Sequence, residues 1–253
     1  MKKNFPRWVW VVLAVMLVLA AVYGFGFSPR KAGEATLDIL AYAESDAMTI
    51  IDDGNALTFC PLFSTETKAL IFYPGARVDY RAYTPLMYQI AQSGVPVVVV
   101  KMPLNFAVLA PNKADEFIEG TGFLCANEIS EWYLGGHSLG GAMASQYAAD
   151  HLDTVTGLVL WGSYPPENVA LMRSQLKVLS IYGSLDLVSS MQEVTESRTQ
   201  FPITAKFYGI SGANHAQFGD YGLQPGDGEA LIDPSEQWRI VTDLTLSFLF
   251  GME

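Results

Sequence analysis

The chain is short of the residues that several functions depend on. It has only two cysteines, Cys60 and Cys125, whose spacing and neighbours do not resemble a metal site. It has three histidines, so a chemistry that needs an imidazole has few places to find one. Positive charge is also scarce, with 15 Lys and Arg against 26 Asp and Glu. Setting aside Lys2, Lys3, Arg7, Arg30 and Lys31 takes the net charge from −11 to −16, which excludes nucleic acid and anionic lipid as natural partners. No internal repeat or low-complexity tract is present, which argues against a solenoid or a disordered chain.

One long apolar run is present. From Trp8 to Phe27 twenty residues carry no charge, enough for a helix to cross a hydrocarbon core of about 30 Å. Lys2, Lys3 and Arg7 precede it, and the positive-inside rule then predicts a cytoplasmic amino terminus and export of the chain after Ser28, although Arg30 and Lys31 weaken the asymmetry. We expect residues 1–31 to be a tail and single-pass membrane anchor, with residues 32–253 as one extracytoplasmic domain. The alternative is a cleaved signal peptide and a secreted domain. Against cleavage, the run is longer than a signal peptide's apolar part, and Tyr23, Phe25 and Phe27 follow Ala20 and Ala21 in place of a small-residue site. In an oxidising compartment Cys60 and Cys125 form either one disulfide or two buried free thiols.

The exported part reads as alternating strands and helices. Met48–Asp52 and Ala56–Cys60 flank Asp53-Gly54-Asn55, a hairpin signal. Strands are expected at Ala69–Tyr73, Val95–Lys101, Trp132–Gly135, Val155–Trp161, Lys177–Tyr182 and Thr204–Ile210. Tyr83, Leu86, Met87 and Ile90 fall at helical spacing, further crossovers are expected through Pro111–Glu119 and Gly162–Leu176, and a terminal helix covers Pro234–Phe250. In the Gly162–Leu176 crossover, Val169, Leu171 and Met172 would dock one short helix on the sheet, with no residues left for a cap. The pattern predicts an α/β fold, a mostly parallel sheet with helices on both faces and a site at the carboxyl ends of the strands.

The chemistry centres on Trp132–Ser145, WYLGGHSLGGAMAS. Gly136-His137-Ser138-Leu139-Gly140 lies between a strand pattern and a helix pattern, the context that a nucleophile elbow requires. Ser138 is the candidate nucleophile, and Leu139 N–H at the helix start is a candidate oxyanion donor. His137 adjoins the serine and His151 ends its helix, so His215, in the loop after the last strand, is the candidate base. Asp186, just past Lys177–Tyr182, completes the order Ser, Asp, His, with Asp79 and Asp220 as rival acids. The second oxyanion donor is expected after Ala69–Tyr73, from Ala76 or else Arg77, with Gly75 allowing close approach. Gly75, Phe218 and Tyr221 are candidate substrate-binding residues, and the Gly-rich segment Gly212–Gly228 is the candidate cover of the site.

FYPGARVDYRAY, GGHSLGGAMAS, LSIYGSLD and ISGANHAQFGDYG together resemble the alpha/beta hydrolase superfamily, and more narrowly a small membrane-anchored bacterial group related to dienelactone hydrolases. The resemblance implies a serine hydrolase fold with Ser138, Asp186 and His215 as its triad. Pro74-Gly75 replaces the His-Gly common in the oxyanion loop of lipases, and Phe218–Ile232 has no obvious counterpart there. The leading reading is a carboxylesterase-like enzyme acting on a small acyl substrate without metal or organic cofactor, with a monomer favoured. A non-catalytic binding protein on the same fold, or a thioesterase or peptidase using the same triad, are the alternatives.

Overall fold

The structure, a computed structural model, describes residue 16 and residues 28–42, 47–119 and 123–252. The expected membrane span, Trp8 to Phe27, lies outside the described residues apart from Met16. Among the described residues no helix is long and apolar enough to cross a membrane.

An eight-stranded sheet organises the domain. In chain order its strands are β1 (Met48–Asp52), β2 (Ala56–Pro61), β3 (Lys68–Tyr73), β4 (Val97–Val100), β7 (Glu131–His137), β8 (Val155–Trp161), β9 (Lys177–Gly183) and β10 (Lys206–Ile210). Their spatial order is β1-β2-β4-β3-β7-β8-β9-β10. The pairs from β4 through β10 are all parallel, and only β1–β2 and β2–β4 are antiparallel. A parallel sheet must be covered on both faces, and the residues comply: all four valines of β4 are buried. At the β1–β2 turn the Asp53 carboxylate accepts from Asn55 N and Ala56 N, both at 2.8 Å, and Gly54 takes φ 78°.

The helices are α1 (Glu34–Tyr42), α2 (Thr84–Gln92), α3 (Asp115–Ile118), α4 (Leu139–Asp150), α5 (Met191–Glu196) and α6 (Pro234–Phe250). One core packs α2 and α6 on the sheet through Leu86, Met87, Ile90, Val241 and Leu249, against Leu70, Phe72 and Val97. The other packs α4 through Ala144, Tyr147 and Ala148 against Ile71, Leu134 and Leu158. The terminal helix has local punctuation at both ends. Pro234 occupies its first turn after Asp233, and Gly251 closes it at φ 64°.

Three expectations need correction. The Gly162–Leu176 crossover forms no helix. Pro165-Pro166 removes two N–H donors, and the Gln200 side chain instead ties the carbonyls of Pro166 and Val169 at 2.8 and 2.9 Å. Val169 and Leu171 are buried, whereas Met172 is exposed and docks nothing. The crossover through Pro111–Glu119 contains only the one-turn α3. A two-stranded hairpin, β5 (Phe123–Leu124) with β6 (Asn127–Glu128), comes after it unforeseen, and the turn residue Cys125 is disulfide-bonded to Cys60 in β2.

Candidate active site

Ser138 stands between β7 and α4 with φ 53° and ψ −128°, a positive φ that a residue with a side chain rarely takes. The neighbouring glycines permit that turn. A Cβ on Gly136 would come within 2.5 Å of Gly140 C and Gly141 N, and one on Gly140 would run into the carbonyl oxygens of Tyr73 and Pro74. The turn is tied down by Ser138 N donating to Trp161 O at 3.1 Å and by Ser163 Oγ donating to Ser138 O at 2.7 Å.

Asp186 and His215 come from the loops after β9 and β10, and both are buried. His215 Nδ1–H donates to Asp186 Oδ2 at 2.8 Å. The other carboxylate oxygen accepts from Val188 N at 2.9 Å and Ser189 N at 2.7 Å, which fixes the acid's orientation. His215 Nε2 is buried and has no protein partner among the described residues, so the bond from Ser138 to His215 is not closed here. Such bonds are often long before substrate binds. The rival acids are engaged elsewhere: Asp79 pairs with Arg81 at 2.7 Å, and Asp220 Oδ2 caps the start of α1 by accepting Thr36 N at 2.7 Å.

Behind the Asp186–His215 pair lies a buried imidazole. His137 is in ring contact with His215, centroids 4.4 Å apart, and its Nδ1 lies 2.9 Å from Tyr83 Oη. Because Tyr83 Oη also accepts the Gly75 N–H at 2.8 Å, its own proton goes to His137 Nδ1. Burial, then the neighbouring His215 and Arg30, hold the His137 imidazole well below its usual range, so it stays neutral. Gly75 N–H is therefore occupied, whereas Ala76 N–H and Leu139 N–H have no protein acceptor among the described residues. Beside Ser138 is a pocket of about 250 Å³ lined by Leu139, Ala142, Ser163, Tyr164, Val188 and Ser189.

A family model, described as the alpha/beta hydrolase family, matches residues 69–239. The chain belongs to the alpha/beta hydrolase family. No curated protein sequence matches it. Among solved structures, this hydrolase-family chain is similar to a dienelactone hydrolase from Anabaena variabilis, at 17% identity and TM-score 0.58 over 81% of this chain and 96% of that one. It is also similar to Est1E from Butyrivibrio proteoclasticus, at 14% identity and TM-score 0.55 over 81% and 100%. Carboxyl esterase 2 from the mycorrhizal fungus Tuber melanosporum shares 12% identity and TM-score 0.64 over 95% and 98%. At these identities the likeness is one of fold.

Within this hydrolase-family fold the structure gathers Ser138, Leu139, Ala76, Asp186 and His215 at the carboxyl edge of the sheet. It places the three expected substrate contacts elsewhere. Phe218 is fully buried behind His137 and Trp161, with ring centroids 5.5 and 6.4 Å away. Tyr221 is buried with its ring 6.3 Å from His137, and Gly75 faces Tyr83 and His137. Packing won over exposure because both rings are needed to bury His137. The Gly212–Gly228 segment is likewise pinned, since the Asp227 carboxylate accepts from His215 N at 3.2 Å, Ala216 N at 2.7 Å and Gly228 N at 2.8 Å. The sequence pattern marks Tyr83 only as a helix residue, and it does not single out Ser163, Tyr164 or Asp227. Ser163 alone had a local signal, as the polar residue directly after a buried strand and glycine.

Proposed function

We propose that the chain is a serine hydrolase that cleaves an ester or related acyl bond of a small substrate through an acyl-Ser138 intermediate. The observation that carries this reading is the buried 2.8 Å pair of His215 and Asp186 at the sheet edge where Ser138 sits in its strained turn. His215 Nε2 takes the Ser138 proton as Oγ bonds to the acyl carbon. Leu139 N–H and Ala76 N–H receive the oxyanion as it forms. When the carbonyl reforms, the bond to the alcohol oxygen breaks and that oxygen takes the proton from His215. Water then repeats the attack with His215 as base, releasing the carboxylic acid and freeing Ser138. Asp186 keeps the Nδ1 tautomer and stabilises the imidazolium.

The domain in this reading is held by a single span, Trp8 to Phe27, on the outer side of the cell membrane. The Cys60–Cys125 disulfide supports an oxidising compartment. The experiment is labelling by a fluorophosphonate probe, which tests nucleophile activation without knowledge of the substrate. Labelling of the full chain and none of Ser138→Ala is the expected result. An unlabelled native chain would favour a binding protein that has lost turnover.

A further inference from the structure

The first described residues of the domain are not a free tether. Arg30 forms a parallel bridge with Val78: its N–H donates to Arg77 O at 2.5 Å and its carbonyl accepts Asp79 N at 2.9 Å. Its guanidinium reaches Ala76 O at 3.4 Å and lies over the Tyr221 ring at 6.0 Å. Three residues on, Gly33 N donates to Asp220 O at 2.7 Å. The chain therefore enters the domain on the loop that carries the oxyanion donor Ala76, at the carboxyl edge of the sheet. Phe27, the last residue of the apolar run, is three residues before Arg30, a reach of about 10 Å at full extension.

The same edge exposes apolar side chains on both flanks of the site. Leu104, Val108 and Leu109 stand in the loop after β4, and Leu187, Leu223 and Leu231 in the loops after β9 and β10. In the strand order these loops bracket those after β3, β7 and β8, which carry Ala76, Ser138 and Ser163. Exposed apolar residues occur at the opposite edge too, Phe63 and Ile203 among them, so exposure alone does not assign a face. The tether does.

We propose that the carboxyl edge of the sheet, with Ser138 at its centre, is the face that rests on the lipid bilayer, its two apolar flanks seated at the headgroup level. The proposal rests on the reading of Trp8 to Phe27 as a retained span. A span ending about 10 Å from Arg30 leaves the domain no length to turn its other edge to the membrane. The net charge of −14 beyond the span favours a zwitterionic surface over an anionic one. Glu229 and Asp233, on the loop that carries Leu231, limit the depth of seating because carboxylates stay hydrated. The site then opens towards the interface, and its substrates arrive from that side.

The test uses single-cysteine variants of the full chain in phosphatidylcholine vesicles. Both native cysteines are bridged, so an added thiol is the only one to label. Leu109→Cys, Leu223→Cys, Phe63→Cys and Ile203→Cys carry an environment-sensitive fluorophore, and vesicles with brominated acyl chains act as the quencher. Burial of the flanks by the bilayer predicts about a twofold loss of emission at positions 109 and 223 and little change at 63 and 203. Equal quenching at all four positions, or none at 109 and 223 in protein that sediments with the vesicles, overturns the orientation while leaving the anchor intact. A full chain that fails to sediment with vesicles refutes the anchor and the orientation together.

Discussion

Tyr83 donates to Nδ1 of His137 across 2.9 Å, joining the loop after β3 to the residue before Ser138. Since the same hydroxyl accepts Gly75 N–H, the Gly75–Ala76 loop and the turn at Ser138 share one buried hydrogen-bond chain. Tyr83→Phe keeps the ring but leaves Gly75 N–H and His137 Nδ1 without partners, a loss of about 1–3 kcal/mol per group. With Ala76 no longer held in register, kcat is expected to fall by roughly tenfold or more with KM nearly unchanged, because an oxyanion donor acts on the transition state. Steady-state kinetics on a short-chain ester checks the split. A change in KM alone would show that the hydroxyl serves substrate binding.

The proposed triad predicts non-additive losses. Ser138→Ala and His215→Ala are each expected to lower hydrolysis by about three or more orders of magnitude, with the double variant scarcely worse, because the residues act as a unit. Asp186→Asn keeps shape but loses the charge that holds the tautomer, and should fall between native and His215→Ala. If the single losses multiply in the double variant, these residues do not form one relay.

Much of this site is legible in the sequence because its residues are tied to local signals. Ser138 is bracketed by glycines that any sharp strand-to-helix turn demands, Asp186 comes after the buried strand β9, and His215 comes after β10, an edge strand buried only at Ile210. β8 and α6 are readable to the residue for the same reason, since strong periodicity meets a clear stop. Phe218 and Tyr221 depart from expectation because a loop position predicts exposure, whereas their burial depends on His137, some eighty residues earlier. Tyr83 has no local signal: its role exists only once β3 and β7 lie side by side. The missing helix at Gly162–Leu176 is signalled by Pro165-Pro166, which outweighs the apolar spacing of Val169, Leu171 and Met172.

A pH dependence of stability arises from His137. Its folded-state pKa lies well below the ordinary 6.5, so on acidification the unfolded chain takes up this proton first. Its contribution is complete above about pH 6.5 and is lost as pH falls from there towards the folded-state value, at up to about 1.4 kcal/mol per pH unit. Urea midpoints at pH 7.5, 6.0 and 5.0 measure the slope, and His137→Gln should flatten it. An unchanged slope in that variant would assign the acid sensitivity to other groups.

The disulfide closes a loop with a sequence separation of 65 between Cys60 and Cys125. In the chain-entropy account this is worth about 4 kcal/mol. Cys60→Ser with Cys125→Ser should lower the unfolding free energy by that order, and native protein should resist alkylation until reduced. Ready alkylation of both thiols in exported protein would remove the bridge and the argument from it for an oxidising compartment.

Tyr164 sets the expected preference for acyl length. It lines the pocket of about 250 Å³ at Ser138, and its other side lines a separate groove of about 440 Å³ with Pro165, Pro166, Glu167, Glu193, Glu196, Ser197 and Gln200. Its hydroxyl donates to Glu193 Oε1 at 2.9 Å, which in turn accepts from Ser190 N at 2.8 Å through its other oxygen, so the ring is held as a partition. A small pocket flanked by a fixed ring has little room for a long chain, and each methylene left in water forgoes about 0.8 kcal/mol. Acetyl and butyryl esters are therefore expected to show higher kcat/KM than palmitoyl esters. Tyr164→Ala joins the two spaces and should raise kcat/KM for an octanoyl ester relative to butyryl by about tenfold, less than four fully buried methylenes would give because glutamates line the groove. The measurement is a chain-length series below the critical micelle concentration for both proteins. A native preference for palmitoyl, or a Tyr164→Ala series parallel to the native one, would show that acyl chains leave Ser138 by another route.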